Sequence, residues 1–258
     1  MPDIAIIIPC RLASVRFPRK LLYPIDGKPL ILWTAERIAA QVPQLPLYFA
    51  VADTEIADVL EEAGYRTVAT PQDVPSGTDR LAAANAHIGA RTIINVQADE
   101  PLVDASHIRL LVKQLNRPSA SIATLAARFQ CADHFYNPDN VKVVCDTEWF
   151  ALYFSRAPIP YPRDTQGRLG TSLKNQSTYC HHLGLYAYKA EFLKKFSTLA
   201  HGPLEHLEKL EQLRALENGF RIAVGLTPAP TFGIDTLADA REFQSRLKRS
   251  KENSNQSV

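Results

Sequence analysis

The chain has 258 residues, which is enough for one large α/β domain or two small ones with a sizeable core. Its 29 lysines and arginines nearly balance its 27 aspartates and glutamates, and a net charge of +2 excludes a global signature for nucleic acid or an anionic membrane. The longest apolar stretches are far shorter than a membrane-spanning helix, and the amino terminus lacks the pattern of a secretory signal. We therefore expect a soluble cytoplasmic protein in which any anion-binding site is local.

The first half of the chain alternates strand and helix patterns. Apolar runs rich in β-branched residues predict strands, and apolar residues at helical spacing predict the helices between them. The predicted strands cover residues 3–9, 47–52, 66–69 and 92–96, and the predicted helices cover residues 29–41, the segment from Asp53 or Thr54 to Gly64, and residues 76–88. This series predicts an α/β fold with a mainly parallel sheet and helices on both faces.

The second half is less regular and predicts a mixed or antiparallel extension of the sheet. Strand patterns recur at residues 121–129, 141–145, 149–154, 183–188 and 221–226. No full helix pattern separates the first three of these strands. The strongest helix pattern covers residues 203–218, with leucines at 204, 207, 210 and 213 and a stop signal at Gly219. Asp235 or Thr236 is suited to cap a last helix.

Two segments lack any periodic pattern. Residues 161–177 are polar and rich in turn residues, which predicts a long surface loop that is functional or mobile. Residues 250–258 have the composition of a disordered tail. We therefore predict a single domain over residues 1–249, followed by that tail.

A basic loop follows the first predicted strand, in the stretch PCRLASVRFPRKLL. Arg11, Arg16, Arg19 and Lys20 lie close together there beside Ser14. Cations crowded onto so short a loop repel one another unless an anion lies among them, and a polyphosphate is the natural candidate. A solvated basic loop without a ligand is the alternative. Neither a Walker A loop nor a G-x-G-x-x-G turn is present, so phosphate would be held mainly by side chains.

Carboxylates follow the strand at residues 92–96, in the stretch NVQADEP. Asp99 or Glu100 at that strand end would face the basic loop, because ligands of an open parallel sheet bind outside the carboxyl ends of its strands. Mg²⁺ is held by one or two carboxylates together with phosphate oxygens. Capping of the next turn is an equally good explanation, and a second acid would decide between them. Asp235 in FGIDT is the candidate, with ordinary helix capping as its own alternative.

Four cysteines, Cys10, Cys131, Cys145 and Cys180, are widely spaced and form no C-x-x-C pair. This spacing favours free buried thiols. The basic loop beside Cys10 would lower the pKa of its thiol, but a nucleophile also needs a paired base, and none is visible in the sequence. We assign no catalytic role to Cys10.

The order of these motifs resembles the 3-deoxy-D-manno-octulosonate (Kdo) cytidylyltransferases, also called the CMP-Kdo synthetase family. The matching segments, from about residue 4 to about residue 240, are IPCRLASVRFPRKLL, SGTDR, NVQADEP, ALYFSRAPIP, HLGLYAY, LEKLEQLRALENG and IDT. The resemblance implies a Rossmann-like nucleotidyltransferase fold of the nucleotide-diphospho-sugar transferase type. It also implies a cytoplasmic homodimer that uses CTP, Mg²⁺ and an acidic octulosonate sugar in lipopolysaccharide biosynthesis.

The resemblance also assigns roles to individual residues. The catalytic residues it implies are Lys20, Arg16, Asp99 and Asp235, of which Asp99 and Asp235 are the magnesium ligands. The nucleotide-binding residues it implies are Arg11, Arg16, Lys20, Ser76, Gly77, Thr78, Arg80 and Gln97. We add Ser14, which lies in the same basic loop, to this group. The sugar-binding residues it implies are Gln97, Arg156, His182, Tyr186, Glu211 and Gln212.

Two segments depart from the family pattern. Where the family commonly has R-x-P-G-K-P-L, this chain has Arg19 and Leu21, so it loses a glycine and a proline and gains a cation, which would alter how the loop closes over the triphosphate. Where the family has N-x-Q-G-D-[EQ]-P, this chain has Ala98, so any positive φ or close backbone approach that glycine permits would cost more.

Three alternatives to this function stay open from the sequence. The sugar could be 8-amino-Kdo or a sialic acid, because the basic loop and the acids would serve equally. A nucleotide-sugar glycosyltransferase could share the fold and the metal acids. The departures at Arg19 and Ala98 leave room for an inactive nucleotide-binding protein.

Overall fold

The computed structural model describes residues 1–14, 16–170, 173 and 178–255, with side chains as far as residue 249. Its strands are β1 (Ile4–Cys10), β2 (Pro24–Ile25), β3 (Lys28–Pro29), β4 (Leu47–Val51), β5 (Arg66–Ala69), β6 (Thr92–Asn95), β7 (Ala120–Arg128), β8 (Lys142–Cys145), β9 (Ala151–Ser155), β10 (Cys180–Lys189) and β11 (Arg221–Leu226). Its helices are α1 (Leu30–Gln41), α2 (Thr54–Glu62), α3 (Gly77–Ile88), α4 (Ala105–Leu115), α5 (Ala132–Tyr136), α6 (Ala190–Phe196), α7 (Pro203–Glu208), α8 (Gln212–Glu217) and α9 (Leu237–Asn255).

The main sheet has the strand order β11-β7-β10-β6-β1-β4-β5, and along this path β10 alone is antiparallel to its neighbours. Strands β8 and β9 extend the sheet beside β10 through antiparallel pairs. The predicted parallel half and mixed second half are both confirmed. The chain runs outward from β1 through β4 to β5 and then returns to the other side of β1 with β6. Strand order therefore reverses beside β1, which is the place where open α/β sheets bind ligands.

Alternate residues of β1 enter opposite cores, because successive side chains of a strand point to opposite faces of the sheet. Ile6 and Ile8 pack in one core with residues of α1, α2 and α4. Ala5 and Ile7 pack in the other core with residues of α3, α6 and α8. The predicted layers of helices on both faces of the sheet are thus present.

In a third, smaller core, residues near the end of the chain pack against residues near its beginning. Phe243 of α9 packs edge-on against Trp33 of α1, and Ile234 is buried in the same cluster as Phe17 of the basic loop. The backbone N–H of Ile234 also donates to the Asp99 carbonyl at 3.0 Å. These contacts hold the segment around Asp235 beside the loop that follows β1.

The helix predicted over residues 203–218 is wrong as a single element. It is divided into α7 and α8, because Lys209 has the left-handed backbone conformation, with φ 54°. Leucines at helical spacing indicate which side of a helix faces the core, but they do not indicate whether the helix is interrupted between them. The break leaves Glu211 at the start of α8, which matters for the site below.

Helix α4 was missed from the sequence, although its signals are present. The Asp104 side chain accepts from the backbone N–H of Ser106 and of His107, and the His107 ring accepts from the Asp104 N–H, which completes a capping box. Buried apolar residues follow at helical spacing.

Helix α9 continues to Asn255, past residue 249 at which we predicted the domain to end. The remaining residues of the predicted tail, 256–258, lie outside the described part of the chain. The predicted loop over residues 161–177 contains a short 3-10 turn at Arg163–Thr165. The prediction that this loop is functional or mobile also concerns residues 171, 172 and 174–177, which lie outside the described residues. No helix in the described part of the chain is both long and apolar enough to cross a bilayer.

Candidate active site

Two adjoining cavities open at the carboxyl ends of β1 and β6. The first, of about 510 Å³, has Tyr186 and Tyr188 in its wall, and we call it the tyrosine cavity. The second, of about 670 Å³, contains Asp99 and Asp235, and we call it the aspartate cavity. The residues shared by both linings are Pro9, Arg11, Arg16 and Gln97. A ligand that reaches from one cavity to the other would pass these two arginines.

In the aspartate cavity, Lys20 lies between the two carboxylates that the sequence marked as metal ligands. Its ammonium contacts Asp99 and donates to Asp235 Oδ1 at 2.8 Å. Arg16 pairs with the other oxygen of Asp235 at 2.9 Å. The four predicted catalytic residues are therefore brought together from three distant segments, and Arg11 and Ser14 line the same cavity.

The ionisation of this cluster follows from its pairing. Burial alone would raise the pKa of Asp235, but the hydrogen bond and charge of Lys20, and then Arg16, outweigh it and lower that pKa. Burial alone would lower the pKa of Lys20, but the charge of Asp99 and the hydrogen bonds to both aspartates raise it. Lys20 therefore carries its proton and Asp235 its negative charge at neutral pH.

Glu100, which follows Asp99, has a different environment. Burial, and then the charge of Asp99, raise the pKa of its carboxyl to about 8. Its Oε2 is buried and has no hydrogen-bond partner among the described residues. A carboxyl that is largely protonated at neutral pH is a poor ligand for a hard cation, so Asp99 is the better candidate of the two.

The tyrosine cavity is lined by all the predicted sugar residues and by Ser76, Gly77, Thr78 and Arg80. The Glu211 carboxylate joins the two groups, since it accepts from the backbone N–H of Gly77 and of Thr78 at 3.2 Å each and from Thr78 Oγ1 at 2.7 Å. It thus occupies the amino end of α3, where backbone N–H groups and the helix dipole favour an anion.

Several predicted residues also have structural partners. Arg80 is almost fully buried and donates to Thr70 Oγ1 at 2.5 Å and to the Pro71 carbonyl at 3.0 Å. His182 lies 3.0 Å from Thr124 Oγ1. Burial, and then the charge of His181, lower the pKa of the His182 ring to about 3, so the ring is neutral at physiological pH. Tyr186 lies against His182, with ring centroids 5.4 Å apart.

The expectation that the basic loop lowers the pKa of Cys10 is wrong. Burial raises the pKa of that thiol far above its ordinary value and outweighs the opposing charge of Arg80. The thiol donates to the carbonyl of Ile8 at 3.5 Å. A thiol that stays protonated is not a nucleophile, which agrees with assigning it no catalytic role.

Three polar residues of this region were missed from the sequence. Asn95 and Tyr188 line the tyrosine cavity, and Asn95 Oδ1 is buried without a partner among the described residues. Asp139 pairs with Arg16 at 3.3 Å. Asn95 is the last residue of β6 and precedes Gln97 by two positions, so the stretch NVQ contained a signal for it. Asp139 lies in an ordinary turn sequence and carried no signal.

The two departures from the family pattern differ in their local backbone. Arg19 has the left-handed conformation, with φ 57°, and therefore pays the steric cost that a glycine would avoid. Ala98 is not among the residues of positive φ. Its methyl is buried in the main core, and its carbonyl accepts from Thr34 Oγ1 at 2.9 Å. Alanine is therefore accommodated at residue 98 without strain.

Comparison with known proteins gives a consistent result. Residues 5–222 match the protein family described as Cytidylyltransferase. The chain is 41% identical over 249 residues to the 3-deoxy-manno-octulosonate cytidylyltransferase of Geobacter sulfurreducens, covering 95% of this chain and 100% of the relative. It is 39% identical over 244 residues to the protein of the same name from Acidobacterium capsulatum, covering 93% of this chain and 95% of the relative.

Solved structures agree with these relatives. A CMP:2-keto-3-deoxy-manno-octonic acid synthetase complexed with CTP superposes with a TM-score of 0.86 at 34% identity, covering 96% of this chain and 99% of the other. A cytidylyltransferase from Leptospira borgpetersenii superposes with a TM-score of 0.62 at 14% identity, covering 96% of this chain and 88% of the other. The second likeness concerns the fold alone.

Proposed function

The chain belongs to the cytidylyltransferase family, and we propose that it is the nucleotidyltransferase that transfers CMP from CTP to the anomeric hydroxyl of Kdo. The products are CMP-Kdo and pyrophosphate. The observation that carries the proposal is the junction of the two cavities, where a cluster of cations and carboxylates adjoins a pocket lined by polar and aromatic side chains. The alternatives of a glycosyltransferase and an inactive protein gain no support from the relatives.

The basic loop is the proposed binding site for the triphosphate. Arg11 and Arg16 line both cavities, and Lys20 lines the aspartate cavity. Because Glu211 already occupies the amino end of α3, Gly77 and Thr78 have their N–H groups engaged. We therefore assign the phosphates to the side chains of the loop, and assign Ser76, Gly77 and Thr78 to the wall of the nucleotide pocket.

Magnesium is the proposed cofactor, and the residues present fit it. Asp99 and Asp235 already converge on one cation, the Lys20 ammonium. Within the described residues no group of three or more acids, histidines or cysteines could hold a metal, so the remaining ligands would be phosphate oxygens and water, as Mg²⁺ prefers. Held by Asp99 and Asp235, the ion would supply positive charge that offsets the repulsion between the anionic reactants.

The chain's own residues then account for the rest of the chemistry. Transfer of a nucleotidyl group depends chiefly on alignment of the attacking hydroxyl with the α-phosphorus and on offsetting the charge of the leaving group. Arg11, Arg16 and Lys20 would offset the charge that develops on pyrophosphate. Gln97, which donates to the carbonyl of Gly184 at 3.2 Å, lies between the two cavities and is suited to hold the sugar against the nucleotide.

The tyrosine cavity is the proposed sugar site. Kdo carries a carboxylate and several hydroxyls, which require a cation and a set of hydrogen-bonding groups. Arg156 supplies the cation, and Gln212 has a buried Nε2 without a partner among the described residues. His182, Tyr186 and Glu211 complete the lining.

We also propose a homodimer that acts in the cytoplasm, in lipopolysaccharide biosynthesis. Among the described strands β9 pairs only with β8, and Leu152 on β9 has 63% of its surface exposed. A strand that pairs on one edge only and exposes a leucine is suited to contact another subunit. Sedimentation velocity on the purified chain tests the dimer, and a single species of monomer mass would contradict it.

The test of the function is pyrophosphate release with Mg²⁺, each nucleoside triphosphate and a panel of Kdo, 8-amino-Kdo and sialic acid. We expect release with CTP and Kdo. Preference for another sugar would correct the substrate, and no release with any pair, in folded protein, would overturn the enzyme assignment.

A further inference from the structure

We propose that Glu208 is a positioning residue for the sugar substrate, because it fixes Arg156 at the wall of the tyrosine cavity. The proposal rests on the function proposed above and adds to it a residue that does not itself line the cavity. Glu208 is the last residue of α7, and the chain turns away immediately after it through the left-handed Lys209.

Glu208 holds the Arg156 segment through both its side chain and its backbone. Its Oε2 accepts from the backbone N–H of Arg156 at 2.9 Å, and its Oε1 accepts from Ser155 Oγ at 2.5 Å. Its carbonyl oxygen accepts from Arg156 Nε at 2.9 Å. One glutamate therefore fixes the main chain at the end of β9 and one edge of the guanidinium that follows.

The remaining contacts of Arg156 leave part of its guanidinium for a ligand. Nη1 donates to the carbonyl of Pro138 at 3.1 Å. Nη2 has no hydrogen-bond partner among the described residues, and Arg156 lines the tyrosine cavity. A guanidinium whose inner edge is bound to carbonyls keeps donors free on its outer edge, where they can bind a carboxylate.

The local charge balance agrees with an anionic ligand. Lys142 is fully buried behind this segment, and its ammonium donates to the carbonyls of Arg156 and Asn137 at 2.7 and 2.9 Å. Burial, and then the charge of Arg156, lower the pKa of Lys142, and the charge of Glu208 opposes them. The Glu208 carboxylate accepts from a backbone N–H and a hydroxyl and does not contact the guanidinium itself. Among the described residues the Arg156 guanidinium therefore has no carboxylate partner, and the carboxylate of an acidic sugar can take that place.

The experiment compares Glu208→Ala and Glu208→Gln with the wild-type chain in the pyrophosphate assay, with CTP and Kdo varied in turn. We expect Glu208→Ala to raise the KM for Kdo about tenfold and to change the KM for CTP less than about twofold, as for loss of one charge-assisted contact. Glu208→Gln is expected to stay within about threefold, because an amide can accept from Arg156 and donate to Ser155 Oγ.

A matched control is Glu217→Ala. The Glu217 carboxylate also accepts two backbone N–H groups of α7, from Leu204 at 2.9 Å and Glu205 at 3.1 Å, but it does not line either cavity. Its loss should lower the melting temperature and leave the KM for Kdo unchanged. An equal rise in the KM for Kdo in this variant would show that general loosening of α7 is the cause, and would overturn the proposal.

A double-mutant cycle with Arg156→Lys tests whether Glu208 acts through Arg156. We expect Glu208→Ala to add less than about twofold when Arg156 is already lysine, since coupled residues are not additive. Full additivity would overturn the proposal. If Glu208→Ala does not fold, Glu208→Asp replaces it, because the shorter side chain cannot reach Arg156 and Ser155 together. An unchanged KM for Kdo in Glu208→Asp would then refute the positioning role.

The two proposals fail in different ways. A wild-type chain that releases no pyrophosphate with CTP and Kdo overturns the proposed function. A wild-type chain that is active, with an unchanged KM for Kdo in Glu208→Ala, overturns only the role of Glu208.

Discussion

Lys20 and Asp235 are 215 residues apart in the chain, yet the Lys20 ammonium donates to the Asp235 carboxylate at 2.8 Å. The same ammonium contacts Asp99, so one lysine lies between both proposed magnesium ligands. A lysine ammonium and a metal ion compete for the same carboxylate oxygens. Mg²⁺ should therefore bind well only when Lys20 gains another anionic partner, and the triphosphate of CTP is the natural one.

Replacing Lys20 by methionine should allow the metal to bind without nucleotide. In Lys20→Met, Asp99 and Asp235 lose their shared cation, so Mg²⁺ at about ten times its Kd should raise the free energy of unfolding by about 1.4 kcal/mol. Thermal unfolding with and without MgCl₂ measures this. The wild-type chain should respond much less until CTP is added, and Lys20→Met/Asp99→Asn should lose the response. An equal response in wild type without CTP would contradict the competition.

The proposed metal ligands should be needed for turnover more than for folding. Asp235→Asn removes one charge, but Lys20 keeps its contact with Asp99, so we expect the melting temperature to change little. We expect the rate of pyrophosphate release to fall by at least about 10²-fold, as for loss of one preorganised electrostatic contact. Asp99→Asn should behave in the same way. Near-normal turnover in either variant would mean that the metal ligands are misassigned.

Arg19 offers a test of backbone strain. Arg19→Gly should stabilise the chain by about 1 kcal/mol, since a left-handed residue with a side chain is strained and glycine is not. The contact of Arg19 with Glu55 is lost, but both side chains are about half exposed and such surface pairs contribute little. Urea unfolding gives the comparison, with Arg19→Ala as the control that loses the ion pair and keeps the strain. A gain in both variants would exclude strain as the cause.

Glu211 should support α3 as well as the sugar site. Glu211→Gln removes the negative charge of a side chain that accepts from two backbone N–H groups at the start of α3. We expect the free energy of unfolding to fall by about 1 kcal/mol. Glu191→Gln is a suitable control, because Glu191 is exposed in the first turn of α6 and no side-chain cap bond forms there. Equal losses in the two variants would show that general helix-dipole effects, rather than the specific contacts, account for the change.

His182 should make the chain less stable in mild acid. Its pKa is about 3 when folded and near 6.5 when unfolded, so between these values the unfolded chain binds more protons than the folded one. The contribution of the neutral His182 ring to the free energy of unfolding is fully present above pH 6.5, and at pH 5 it is smaller by about 2 kcal/mol. Denaturant unfolding at pH 7.5 and pH 5 in wild type and His182→Gln isolates this contribution. The same pH dependence in both proteins would rule it out.

Much of the fold could be predicted from local sequence, and the failures have physical causes. The predicted strands at residues 66–69 and 221–226 have the same limits in β5 and β11, because a short apolar run between turn residues has few alternatives. The break at Lys209 could not be predicted, since it depends on packing that outweighs the cost of a left-handed residue. Helix α4 was missed although its capping box lay in the sequence.

The candidate site shows the same division between local and distant contacts. The order of the motifs was sufficient to identify the family, and the resemblance it carries led to the proposal that Asp99 and Asp235 are the magnesium ligands. Only the folded chain shows that Lys20 lies between those acids, that Glu211 occupies the start of α3 and that Glu208 holds Arg156.

By itself the sequence determined the type and order of most elements, because hydrophobic periodicity and turn residues act over a few neighbouring positions. The family was recognised separately, from the resemblance of its motifs, and the relatives confirm it. The tertiary structure alone decided which charged groups are partners. Those pairs depend on long-range packing, such as that of Phe243 against Trp33, which holds α9 and the segment before it against the beginning of the chain.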